Sequence, residues 1–153
     1  ISDNSSFVIS GIELKNRSWS NTTGLIQGVT TITSSNEAKK DFNGFQNTQS
    51  IAEYTHASAA YECTVTQFKN GQMGYLASVG EWMEIINNLD EINRCMSLID
   101  GLDIDEGTTS YWTSTQYNSE KAWLMTYNGN EFYPNDERKI VSFYAIRVIS
   151  QLI

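Results

Sequence analysis

Basic residues are scarce in this chain of 153 residues. Ten Lys and Arg stand against eighteen Asp and Glu, for a net charge of −8. Such a chain has little with which to displace counterions from a phosphate backbone, so nucleic-acid binding is excluded as a function class. Charge of either sign is thin at 18%. Asn, Ser, Thr and Gln supply the polar surface instead, a pattern that fits an extracellular or virion protein. The two cysteines, Cys63 and Cys95, are too few for a disulfide scaffold and allow one bridge or two buried thiols. With a single histidine, His56, they lack the ligand spacing of a zinc site. A Ser-His-Asp or Cys-His centre would have to run through His56, and no Gly-x-Ser-x-Gly elbow is present. One Pro and ten Gly exclude collagen-like and linker composition. No apolar run approaches the ~20 residues that span a bilayer. The opening Ile1-Ser2-Asp3-Asn4 is polar and carries no signal peptide, which predicts a processed chain or an excised domain.

What is present is material for a core. Hydrophobic residues make up 40% and aromatic residues 12%, far from a disordered composition. The length suits one domain, which at this size buries roughly two thirds of its unfolded surface. Phe7-Val8-Ile9, Ile12-Glu13-Leu14 and Leu25-Ile26 predict short strands within residues 1–40, a part of the same domain or a short arm. Residues 48–63 predict a helix capped by Asn47 or Thr48, with Ile51, Tyr54, Ala59 and Cys63 on one side. Ser78-Val79-Gly80-Glu81 is a capping box. Behind it Trp82, Ile85, Ile86 and Leu89 recur at helical spacing. A second short helix starts near Asp90 and carries Ile92, Cys95, Met96 and Ile99, with Gly101 as its stop. After Gly101 four β-branched and aromatic runs follow: 110–115, 122–127, one near Phe132, and 144–149. Asn128-Gly129 predicts a tight hairpin turn. The class is therefore α+β, two helical regions packed on a mostly antiparallel sheet.

Two segments carry candidate chemistry. Asp100, Asp103, Asp105 and Glu106 crowd one loop, as hard-cation sites do, but their spacing is not that of an EF-hand. They mark a calcium candidate against the plainer reading of a solvated loop, and no other cofactor is implied. The stretch from Gln116 to Arg138 interleaves rigid aromatics with small amides, as a binding surface does. Alternation sends Trp123 and Met125 inward and leaves Tyr117, Tyr133, Asn135 and Arg138 exposed as candidate ligand-binding residues.

Six pieces in order also resemble a known family. They are Asp41-Phe42-Asn43-Gly44 with Asn47-Thr48, Ala59-Ala60 and Cys63; Gly74-Tyr75-Leu76-Ala77-Ser78-Val79-Gly80-Glu81-Trp82; Glu91-Ile92-Asn93; Tyr111-Trp112-Thr113-Ser114-Thr115; Ala122-Trp123; and Ile146-Arg147-Val148. Over residues 41–149 this pattern resembles the bacterial and phage C-type-lectin-like domain of the DUF1566 type. That family takes in a collagen-like adhesin's C-terminal domain and retroelement-diversified variable proteins of Bacteroides. The resemblance implies a C-type lectin fold over residues 41–153 and a role in binding glycans or proteins on a target cell surface, without catalysis or membrane insertion. It also implies an extracellular place on a bacterial surface or phage virion. Trimers follow by analogy only. Trp82 and Trp112 would fill the core, Glu81 would cap its helix, and Arg147 would pair with a buried carboxylate such as Glu81. In diversified relatives the ligand-binding face corresponds to Gln116 to Asn118, Leu124 and Tyr133 to Arg138, so the resemblance adds Asn118, Leu124 and Asp136 to the candidate ligand-binding residues.

The departures are specific. Ala77 stands where the family has Pro, and residues 100–110 are acidic where relatives are small and polar. Tyr133-Pro134-Asn135-Asp136 echoes the calcium motif of animal lectins but lacks its first ligand, and the plain alternative is a Pro-Asn turn. Formylglycine-generating enzymes share the fold and use a close cysteine pair, whereas Cys63 and Cys95 fall on separate predicted helices. The sequence thus predicts an adhesion or receptor-recognition domain. The alternative is a structural cap or spacer in a pilus, fibre or multidomain surface protein, and a formylglycine-generating-type enzyme comes last.

Overall fold

In the computed structural model, which describes residues 7–104 and 110–152, the first strand lies against the last. β1 (Phe7–Arg17) pairs antiparallel with β6 (Tyr144–Gln151), from Phe7 opposite Gln151 to Arg17 opposite Tyr144. The two predicted strands at 7–9 and 12–14 are one strand, broken in register between Ile9 and Glu13 by a bulge. Between β1 and the rest of the sheet come α1 (Ser35–Ala38), α2 (Gly44–Tyr54), α3 (Ala59–Thr64), the short β2 (Gly74–Leu76), α4 (Val79–Asn87) and α5 (Leu89–Leu98). β3 (Tyr111–Gln116), β4 (Lys121–Tyr127) and β5 (Phe132–Arg138) then complete the order β1-β6-β3-β4-β5, with β2 also on β6. Only the β3–β6 pairing is parallel among the described strands. The α+β class is as predicted.

The sheet is covered on both sides. Tyr111, Trp123, Met125, Phe132, Ala145 and Ile149 pack with Trp82, Ile85 and Leu89 of the α4–α5 layer. Trp112, Ala122, Leu124, Ile146 and Val148 pack with Ile51, Ala59 and Cys63 of the α2–α3 layer, and with Trp19. Consecutive strand residues thus enter opposite cores, which is the period of two with no solvated face.

Several local expectations change. Leu25-Ile26 forms no strand: Ile26 is buried in a loop, where its N–H donates to Gln116 Oε1 at 3.1 Å. The helix predicted over 48–63 is two helices. Thr55 is extended, Ser58 caps α3 by accepting from the Tyr61 N–H, and Ser58 forms a bridge with Ser20. Asn47 and Thr48 do not cap; they are buried inside α2, behind Asn43. The capping box at Ser78 and Glu81 forms as predicted. The break between α4 and α5 falls at Asn88, beside the predicted kink at Leu89. After α5 the left-handed residue is Asp100 (φ 55°), and the Gly101 N–H closes on the Met96 carbonyl at 2.9 Å. The Asn128-Gly129 turn is a four-residue loop between Tyr127 and Phe132. Pro134 and Asn135 lie within β5, an edge strand where a missing N–H is tolerated. This corrects the Pro-Asn turn.

Candidate functional site

The residues predicted to bind a ligand do not form one surface. Leu124 is 2% exposed, because the α2–α3 layer covers its face of the sheet. Gln116 is buried too. Its Nε2 donates to the Ile26 carbonyl and to Thr31 Oγ1 at 2.8 Å. Tyr117 is half-buried, edge-on to Trp123 at 5.1 Å, with Lys121 Nζ 5.8 Å from its ring centre. Asn118 Oδ1 accepts from the Glu120 and Lys121 N–H groups, both at 2.8 Å, and so builds the β3–β4 turn. Asp136 accepts from Lys121 Nζ at 2.8 Å. Tyr133 is half-buried, and Asn135 and Arg138 are exposed. Strand alternation places Asp136 and Arg138 on the Trp123 side, and Tyr133 and Asn135 on the Leu124 side.

The calcium candidate lies only partly within the described residues. Asp100 and Asp103 are exposed, and Asp105 and Glu106 lie outside the described residues. Among the described residues no group of three or more His, Cys, Asp or Glu side chains is placed to hold a metal ion. The Asp103 backbone carbonyl instead accepts from Arg147 Nη2 at 2.8 Å.

Arg147 is the hub that sequence reasoning assigned to the wrong carboxylate. It is 0% exposed and pairs with Glu13 of β1 at 2.9 Å, not with Glu81. Its Nη1 donates to the Ser10 and Leu102 carbonyls at 3.0 and 2.7 Å. Tyr111 donates its hydroxyl to the same Glu13 oxygen at 2.5 Å. The guanidinium thereby joins β1, β6 and the chain after α5. The reason is register: Glu13 faces Arg147 across the β1–β6 ladder.

Glu81 serves a second buried network. Its carboxylate accepts from the Ser78 and Gly44 N–H groups, both at 3.1 Å, tying the start of α4 to the start of α2. Burial raises its pKa to about 7, and the nearby Asp41 adds to the rise against those two hydrogen bonds. Asp41, also buried, accepts from Thr115 Oγ1 at 2.7 Å and from Asn47 Nδ2 at 3.0 Å. Trp82 and Trp112 are wholly buried.

One further group was hidden from the sequence. Lys139 is fully buried, with Nζ 2.8 Å from the Gly24 carbonyl, 2.6 Å from Gln116 Oε1 and 4.7 Å from the centre of the Trp19 ring. Burial lowers its pKa to about 8. Both cysteines are free: Cys63 is buried and Cys95 exposed, which corrects the apolar face assigned to Cys95. Burial pushes the Cys63 thiol far up, so it is inert as a nucleophile. His56 is exposed and stacks on Tyr61 at 4.3 Å.

Several grooves mark the described surface. One, of about 590 Å³, is lined by Val8, Ile9, Ile12, Phe68, Ile99 and Leu152 beside β1. Another, of about 410 Å³, lies between the α4–α5 junction and the β4–β5 loop.

No family model matches the chain, and no curated protein matches it. Among solved structures, the fold is similar to the crystal structure of a fimbrial protein from Bacteroides ovatus ATCC 8483. The TM-score is 0.63 at 18% identity over 95% of this chain, and the match spans 35% of that protein's length. The likeness is one of fold.

Proposed function

We propose that this chain is a structural module, a cap or spacer, of a bacterial surface fibre or multidomain surface protein. The observation that carries the reading is the fold shared with a fimbrial protein over 95% of the chain. The buried clamp is compatible with it: Arg147 ties the first strand of the fold to the last. We read the fold as C-type-lectin-like, on the six motif pieces and on the pairing of terminal strands beside two helical layers. The module works outside the cell and performs no catalysis. In support, Cys63 is sealed in the core while Cys95 sits on the surface of another helix, unlike the paired thiols of a formylglycine-generating enzyme.

The test is to shear the surface of cells that make the protein and probe the fractions with an antibody to this domain. Recovery in the high-molecular-weight fibre fraction is expected, and recovery in the cytoplasm alone overturns the reading. The second reading, adhesion, rests on the exposure that Tyr117, Tyr133 and Arg138 keep: the two tyrosines are half-exposed and the arginine is exposed. A glycan and host-cell screen with a Tyr133→Ala, Arg138→Ala variant, with and without EDTA, decides it. Binding that the variant loses favours adhesion, and loss in EDTA adds calcium.

A further inference from the structure

We infer that the groove between the α4–α5 junction and the β4–β5 loop receives a cationic side chain, an arginine presented by a neighbouring protein. At about 410 Å³ it falls within the size range of built ligand pockets. Its floor is apolar: Leu89 and Phe132 are buried, and Tyr127 is half-buried with its ring 5.1 Å from that of Phe132. Asp90 stands on the helical wall and Glu131 on the loop wall. Among the described residues neither carboxylate enters an ion pair. The adjacent Glu91 is already occupied by Arg94, at 3.0 and 2.5 Å. No Lys or Arg lines the groove. The loop wall is held in place by Asn128, whose Oδ1 accepts from the Asn130 and Glu131 N–H groups at 2.9 and 2.8 Å.

These features narrow the occupant. Unpaired carboxylates repel an anion, and the acidic groups here are not placed to chelate a metal. Asp90 and Glu131 are both exposed, and a neutral ligand would gain nothing from either charge. A cation with an apolar stem answers each part: the stem covers Leu89 and Phe132, and the head meets the carboxylates. Arginine fits better than lysine, because its planar head stacks on a tyrosine ring and forks to carboxylates. The net charge of −8 steers such a partner inward.

The experiment is anisotropy titration of the whole chain against a labelled tetra-arginine peptide at low and high salt. Saturable binding that weakens with salt is expected, with tetra-lysine weaker and tetra-glutamate silent. Asp90→Asn and Glu131→Gln should each weaken binding about threefold, as exposed pairs do, and together about tenfold. Tyr127→Ala should hurt the arginine probe more than the lysine probe. Glu53→Gln makes the same charge change at an exposed site on α2 and should leave binding unchanged. Three outcomes overturn the inference: no binding, equal weakening by Glu53→Gln, or binding of a neutral oligosaccharide that tetra-arginine fails to displace. Circular dichroism of each variant separates lost binding from lost fold. Failure here leaves the fibre-module reading standing, because that reading rests on the fold.

Discussion

Arg147 and Glu13 form a buried ion pair, 2.9 Å apart, that links the last strand to the first. Removing one partner strands the other charge without solvent, at a cost of about 3–5 kcal/mol. Arg147→Met should therefore unfold at markedly lower urea, with Glu13→Gln milder because Tyr111 and Arg147 still find an oxygen there. A double variant, Glu13→Leu with Arg147→Met, should recover part of the loss. Equal stability of wild type and Arg147→Met in urea melts would refute the clamp.

Glu81 makes stability depend on pH. Its folded pKa of about 7 lies above the ordinary value of 4.5. Between those values the folded state binds more protons than the unfolded, so stability falls as pH rises. The contribution is full below pH 4.5 and is gone by pH 7, up to about 3 kcal/mol for an isolated group. Urea melts across that window should show wild type losing stability relative to Glu81→Gln. Parallel curves would sink the assignment.

The two thiols should separate by access alone. Cys95 is exposed and Cys63 is sealed among Ile51, Trp112 and Val148. A thiol reagent such as Ellman's should titrate one group in the folded protein and both in denaturant. Cys95→Ser should abolish the fast reaction, and a fast reaction surviving in that variant would contradict the burial of Cys63.

Legibility followed sequence distance. The capping box at Ser78 and Glu81 was readable because all its atoms lie within one helical turn. The strand runs after Gly101 were readable from β-branched and aromatic composition. Leu124 was not, since its burial depends on helices more than sixty residues earlier in the chain. Arg147 could be recognised as needing a carboxylate, but register alone selected Glu13, 134 residues away. The break at Thr55 arises from another distant partner, Ser20. Local chemistry thus predicted elements and caps, while the second cover of the sheet decided which side chains reach solvent. That is also why the predicted ligand set split between two faces.

Lys139 should show the opposite pH sign to Glu81. Its folded pKa of about 8 lies below the ordinary 10.5, because burial disfavours the ammonium. The unfolded state therefore binds more protons between those values, and stability rises with pH through that window. Below pH 8 the full penalty is present, offset by the Gly24 and Gln116 oxygens and by the Trp19 ring. Lys139→Met removes the titration and keeps most of the volume. The stability of wild type minus that of Lys139→Met should climb from pH 8 to 10.5, a comparison that cancels the other lysines and tyrosines common to both. A flat difference would mean that the ammonium is hydrated, and that the Gly24 loop opens to let water reach it.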